Sequence, residues 1–175
     1  MSVTTEPTTT VDPDRFRGLL RHQAAAVTVI TAAGQPPVGF TATSFTSVSL
    51  HPPLVSFCIA HNTSSWPVIA RADHIAVHLL TRNQDDIART FATSGIDRFA
   101  GHARWSTGPH GVPVLPDALA WLVCRVTDRI TAGDHAIVLA EPVAGEHNDG
   151  EPLIYHRGRY AGLHRDAVPP NPTQA

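Results

Sequence analysis

Three short segments of the chain gather the side chains that can do chemistry. The first runs from Gly39 to Ser49. It places six hydroxyls, on Thr41, Thr43, Ser44, Thr46, Ser47 and Ser49, within nine residues. Hydroxyls and backbone amides at this density suit a polar heterocycle and its phosphate. The same residues also suit an edge or barrel strand that binds nothing. The second segment is Ala132-Gly133-Asp134-His135, at the start of an apolar strand-like run. Gly133 permits a sharp turn and Asp134 can hydrogen-bond its own backbone, which would hold His135 at a loop–strand junction. An ordinary turn with a surface histidine has the same spelling. The third is Tyr155-His156-Arg157-Gly158-Arg159-Tyr160. Aromatic rings and guanidinium groups around a glycine can stack on a base or hold a phosphate, or they can form a closing strand with a solvated face.

These segments must be positioned by the elements around them. Asp12 and Pro13 read as an N-cap and first helical position, and Phe16, Leu19, Leu20 and Gln23 follow at helical spacing. The run AAVTVITAA, from Ala25, reads as a strand ending at Gly34. VGFTATSFTSVSL is another strand-like stretch, broken by His51-Pro52-Pro53, and PLVSFCIA follows as a buried strand. Ser64 or Ser65 can cap a short helix through Trp66, Val68 and Ile69. HIAVHLL, from His74, is a strand, and Asn83 can cap a helix that turns Ile87 and Phe91 inward. Residues 94–116 are rich in Gly and Pro, an irregular segment of the length that often serves as a functional lid. ALAWLVCRVTDRI, HAIVLAEPVAG and PLIYHRGRYAGL finish the domain as strands. Tight turns rather than crossover helices join most neighbours, so the pattern favours an antiparallel barrel with helices at its rim. Residues 1–11 and 166–175 read as disordered tails around one domain at 12–165.

Composition narrows the field. The 175 residues are 42% hydrophobic and 16% charged, which fits one folded globular domain. A formal net charge of −2 with scattered cations argues against a nucleic-acid face. No apolar run approaches the ~20 residues of a membrane span, and the N-terminus lacks a basic start and an apolar core of a secretory signal. The expected compartment is the cytoplasm. The two cysteines, Cys58 and Cys124, sit in apolar strand-like runs and read as buried core thiols. His74 and His78 are four apart, but on a strand such a pair lies too far apart for one ion, so no metal is expected. There is no Gly-x-Gly-x-x-Gly, no P-loop and no Gly-x-Ser-x-Gly, so a Rossmann site, an NTPase and a nucleophile-elbow hydrolase are unsupported.

Taken together and in order, the segments resemble the flavin reductase family of two-component monooxygenases, whose fold is the FMN-binding split barrel. The resemblance rests on GFTATSFTSVSLHPPLVSFCIA, on the FA and DRFAG pieces around residues 91–101, on ALAWLVCRVTDRITAGDHAIVLAE and on PLIYHRGRYAGL. It covers residues 13–164. It implies a mainly β fold, an antiparallel split β-barrel with a few short helices at the rim. It also implies roles. Pro37, Val38, Gly39, Phe40 and Thr41, with Thr43 and Ser44, match where the family holds flavin. Cys58, Ile59 and Ala60 match the strand whose backbone follows the isoalloxazine edge. Ser64 and Ser65 match the helix start near the flavin phosphate, and Thr90 and Phe91 match a further flavin contact. His135 matches the residue that meets the nicotinamide, where a neutral imidazole can donate a hydrogen bond to the carboxamide while the turn holds its second nitrogen. Arg157, Gly158, Arg159 and Tyr160 match the closing strand near the same site. The chain departs from many relatives in two places. It has no Lys or Arg in His61–Ser65, and it carries His78 where Asn is common.

The resemblance implies hydride transfer from NADH, with NADPH left open, to FAD or FMN. The reduced flavin would pass to a separate flavin-dependent monooxygenase, and the reductase would be a homodimer. The cofactors carry that chemistry and the protein supplies orientation. A non-reductase split barrel that binds flavin or heme is the alternative.

Overall fold

The computed structural model describes residues 10–100 and 105–163. The expected tails therefore lie outside the described residues, except Thr10 and Val11, which are exposed. In chain order the elements are α1 (Pro13–Leu20), β1 (Ala25–Ala26), β2 (Thr28–Ala32), β3 (Val38–Ala42), β4 (Thr46–Leu50), β5 (Pro53–Ala60), α2 (Trp66–Ile69), β6 (His74–Leu79), α3 (Asp85–Ala92), β7 (Ser106–Thr107), β8 (Pro113–Val114), β9 (Ala120–Ala132), β10 (His135–His147), β11 (Leu153–His156) and β12 (Arg159–Gly162). None of the described helices is long and apolar enough to cross a membrane.

A seven-stranded sheet, ordered β3-β2-β6-β9-β10-β5-β4, forms the body. Its pairings are antiparallel throughout. Strands β3 and β4 follow each other in sequence yet occupy opposite edges. The three-residue corner Thr43–Phe45 must therefore span the gap, and the sheet curls to bring its edges together. No ladder joins β3 to β4, so the curl stays open along that seam. A second sheet, β1-β11-β12, stands beside it. This is the expected mainly β, antiparallel class with short helices around it.

Two cores lie on either side of β2. Ile30, Phe40, Phe57, Ile59, Val77 and Val138 fill the inside of the curl. Val29, Leu80, Ile87, Phe91, Leu115 and Leu153 pack the other side. All five residues of β2 are buried, which explains why its sequence shows no alternation. Strand β5 has one wet face: Val55, Phe57 and Ile59 point inward, while Ser56, Cys58 and Ala60 are partly exposed.

Several boundaries differ from expectation. The stretch Val38–Leu50 is two strands, not one, because the chain must change sheet edges at Thr43–Phe45. The final segment is a hairpin, with Arg157 and Gly158 at φ 50° and 80° in its two-residue turn. Helix α3 is capped at Gln84 rather than Asn83, and Gln84 instead accepts the Thr81 amide at 3.0 Å. Cys58 is not a core thiol. It lies on the wet face of β5 and is free, whereas Cys124 is buried, and burial pushes its thiol up to about 12.

Candidate functional site

The β5–β10 pairing builds the first part of the site. Its register sets His135 opposite Ala60 and Ile137 opposite Cys58. In antiparallel partners the side chains share a face, so His135, Ala60 and Cys58 lie on the partly exposed side while Ile59 pairs with buried Ala136. A two-residue turn, Gly133-Asp134, feeds β10, and Gly133 takes φ 64°, which glycine adopts without steric cost. The His61 amide donates to the Asp134 carbonyl at 3.0 Å, which ties this turn to the end of β5. The Asp134 carboxylate meets His135 Nδ1 at 2.6 Å. That bond, and then the ring's charge, holds the Asp134 carboxyl below its ordinary value.

An ionised carboxylate only accepts, so His135 Nδ1 carries the proton. In the neutral ring Nε2 then offers a lone pair. The turn does hold one nitrogen, as expected, but it takes the donor. The nitrogen left open by the turn is therefore an acceptor in the neutral ring. On the other side of Cys58, the corner residue Ser44 accepts the Cys58 amide at 2.9 Å. The seam between corner and β5 is closed by a side chain instead of a ladder.

A cleft of about 420 Å³ opens at the far end of β3, lined by Pro37, Val38, Gly39, Ser64, Ser65, Arg98 and Phe99 among others. Gly39 sits at its floor for a steric reason. A Cβ there would lie 2.6 Å from the Phe91 ring and 3.0 Å from the Ile30 carbonyl. Phe91 is buried against Phe99 and Trp105, so it meets the cleft from behind, through Gly39. Ser65 is fully buried and donates to the Gly39 carbonyl at 3.0 Å. It stands at the N-cap position of α2, as expected, but its side chain makes no capping bond and its hydroxyl is turned to the Gly39 carbonyl. Ser64 remains exposed at the rim. Arg98 donates from Nη1 to the Gly39 carbonyl at 2.7 Å and from Nε to the Thr93 carbonyl at 2.8 Å.

The remaining predicted residues lie elsewhere. Thr43, Tyr155, Arg157 and Gly158 share a second cleft of about 450 Å³ with Arg17, Leu20 and Arg21 of the α1 region. Thr41 donates to the Ala88 carbonyl at 2.7 Å, and Thr90 to Asp86 of its own helix at 2.9 Å. Phe40 and Ile59 are core side chains that present only backbone. Tyr160 packs under the Arg89 guanidinium, 4.9 Å from its ring centre, and Arg159 is exposed.

Residues 20–164 match the family described as flavin reductase like domain. The chain belongs to the flavin reductase family. It is 42% identical to an NADH:FMN oxidoreductase of Rhodococcus qingshengii, over 91% of this chain and 86% of that protein. It is 39% identical to the reductase component of a 4-nitrophenol 4-monooxygenase/4-nitrocatechol 2-monooxygenase of Rhodococcus opacus, over 86% of this chain and 80% of that one. Among solved structures, the Streptomyces globisporus NADH:FAD oxidoreductase in complex with NAD and FAD fragments superposes with a TM-score of 0.84 at 32% identity. The match covers 92% of this chain and all of that one.

Reading the sequence of this flavin reductase missed Arg98 as a member of the site. It sits in a glycine-containing irregular stretch with an aspartate beside it, which reads as a solvated loop. One signal pointed its way: the His61–Ser65 segment carries no Lys or Arg where many relatives have one, so a cation at this end of β3 has to come from another element. Among the described residues, no group of three or more His, Cys, Asp or Glu is placed to hold a metal.

Proposed function

We propose that this chain is an NADH:flavin oxidoreductase that delivers reduced flavin to a separate monooxygenase. The observation that carries the reading is the shared face of His135, Ala60 and Cys58, with Asp134 fixing the histidine and Ser44 fixing the strand. The residues fit a flavin. Apolar strand backbone, exposed Thr43 and Ser44, the rim hydroxyl of Ser64 and an adjacent cationic cleft match a flat apolar ring with a polar edge and a phosphate tail.

Flavin, when bound, supplies the hydride acceptor for reduced nicotinamide. The protein binds and orients. Thr43, Ser44 and the backbone of Cys58–Ala60 would line the ring, and Ser64 and the Gly39 cleft its tail. His135 would accept from the nicotinamide carboxamide through Nε2, with Asp134 keeping its ring from rotating. No proton need be moved at the transferred hydride. The α1 cleft, with Arg157 and Gly158, has the cations and the Tyr155 ring to receive a dinucleotide's phosphates and base.

The decisive experiment is steady-state oxidation of NADH and NADPH with FMN, FAD and riboflavin in turn. Oxidation should require added flavin, favour NADH, and leave an aromatic substrate unhydroxylated unless an oxygenase is supplied. Failure of all three flavins to support turnover refutes the reading. A homodimer belongs to this proposal. Phe16, Leu19 and Leu20 of α1 and Val48 and Leu50 of β4 are each at least half exposed, more apolar surface than a lone chain leaves wet without cause. Sedimentation equilibrium should give about twice the chain mass. The free thiols Cys58 and Cys124 suit a reducing compartment such as the cytoplasm.

A further inference from the structure

We propose that Arg129 is a positioning residue: from β9 it locks the short helix α2 and so pre-organises the Ser64 side of the cleft for the flavin tail. The proposal rests on the flavin reading above and adds to it a residue that lies outside the cleft.

A break in β9 aims Arg129 at α2. Cys124 and Val126 face the inside of the curl, and strand alternation would put Asp128 next on that face. The register instead steps from Val126 opposite Ala140 to Asp128 opposite Leu139, which leaves one extra residue in β9. Arg129 is therefore set opposite Val138 and shares its inward face. There it meets α2, whose Ile69 is fully buried in the same core. Its Nε donates to the Ile69 carbonyl at 3.1 Å, and its Nη2 donates to the Ala72 carbonyl. No ion pair among the described residues includes Arg129. Neighbouring Asp128 turns Oδ1 to the Arg129 amide at 2.6 Å. The guanidinium serves the chain leaving α2.

Helix α2 needs that support. It has four residues and no side-chain cap at its start, and a helix of one turn is marginal by itself. Carbonyls at a helix end have no partner within the helix, and Arg129 brings them donors from 57 and 60 residues away. At 1.5 Å per residue the two ends of α2 are only about 6 Å apart, so a constraint at Ile69 and Ala72 is felt at Ser64 and Ser65. Ser65 bonds the Gly39 carbonyl at the cleft floor, and Ser64 stands on the rim. Without Arg129, a ligand reaching Ser64 would have to order the turn itself, and that ordering would be subtracted from its affinity.

The test compares FMN with riboflavin, which lacks the phosphate tail. Dissociation constants of both are measured by quenching of flavin fluorescence for the wild type, Arg129→Gln and Arg129→Lys, beside NADH kinetics at saturating FMN. The Gln variant should bind FMN roughly ten-fold more weakly, the effect of re-ordering about one residue of backbone. Its riboflavin affinity and its kcat should change little. The Lys variant, whose ammonium lacks the planar fork, should fall between the two. A lower melting temperature with an unchanged FMN-to-riboflavin ratio would make Arg129 structural only and overturns the proposal. A parallel loss of both affinities also overturns it, because the disturbance would then lie at the ring. Equal wild-type affinity for the two flavins overturns it as well, since no tail contact would depend on α2. If a variant fails to fold, amide hydrogen exchange of residues 64–72 in the wild type decides the matter. Those amides should be protected before flavin is added, with little further gain on adding FMN. Protection that appears only with FMN overturns the proposal. These are binding and exchange measurements, so they stand apart from NADH turnover, whose absence would instead refute the proposed function.

Discussion

His78 should make this protein lose stability as the pH falls below neutrality, and the size of the loss follows from its surroundings. The ring is fully buried on β6. Its Nδ1–H donates to the Val29 carbonyl at 2.9 Å, and Nε2 has no partner among the described residues. Trp105 stands edge-on to it at 5.4 Å, its own indole nitrogen likewise without a partner among the described residues. A proton on Nε2 would be a buried charge with no acceptor among the described residues, and burial lowers the pKa to about 4 from the ordinary 6.5. The unfolded chain therefore binds a proton that the native state refuses between those two values. Stability rises with pH across that window, is unaffected by His78 above it, and stops falling below pH 4, where both states are charged. At about 1.4 kcal/mol per unit, the penalty is roughly 1 kcal/mol at pH 5.5 and roughly 3 kcal/mol at pH 4.5. Urea unfolding at pH 7.5, 5.5 and 4.5, on wild type and His78→Asn, isolates the effect because every other titrating group is common to both. The variant should gain on the wild type by those amounts as the pH drops. A gap between the two curves that stays constant over the same range would show that His78 accepts its proton in the native fold, and the argument from its burial would fail.

Two further expectations follow from the site. His135→Ala should lower kcat/KM for NADH roughly ten- to a hundred-fold, about 1–3 kcal/mol of transition-state stabilisation, while flavin Kd moves little. Wild-type NADH kinetics in that variant would make His135 a bystander, and a matching loss of flavin binding would make it structural. Gly39→Ala should cost about 1–3 kcal/mol by overpacking, because its Cβ would meet the buried Phe91 ring at 2.6 Å. At about 2–4 °C per kcal/mol the melting temperature falls by several degrees. Phe91→Leu should recover part of that loss in the double variant, and strict additivity of the two would count against the contact.

How much of this was legible in the sequence depended on whether the signal was local. Asp12 and Pro13 announce α1, and the observed cap is Asp12 accepting the amides of Asp14 and Arg15 at 3.0 and 3.1 Å. PLVSFCIA alternates because β5 has one wet face. The turn before His135 is written in Gly133-Asp134. Other features were set by tertiary partners that leave no local mark. Thr43–Phe45 carries the same β-prone residues as its flanks, and only the strand order reveals a corner there. Arg157 takes a positive φ that its residue type does not advertise. Ser65 does stand at the N-cap of α2, but its hydroxyl serves the Gly39 carbonyl, 26 residues away at 3.0 Å, rather than the helix amides. Arg98 reads as loop polarity, because what places it at the cleft is the Gly39 carbonyl, 59 residues away in sequence and 2.7 Å from Nη1.

The site lies where it does because the sheet curls but does not close. A barrel ladder between β3 and β4 would consume the backbone donors and acceptors along both edges. The chain instead crosses from edge to edge in three residues, and one hydroxyl, that of Ser44, bridges the gap to Cys58. Exposed polar groups border that open seam: Thr43 and Ser44 on the corner, the partly exposed face of β5, and Ser64 just past β5. A flat ligand with a polar rim can satisfy such groups without unfolding anything, and it can leave again at no cost to the core, since Phe40, Phe57 and Ile59 pack behind the strands and do not depend on it. Delivering reduced flavin to another enzyme requires that combination: a binding face made from the open edge of a sheet whose stability is secured elsewhere.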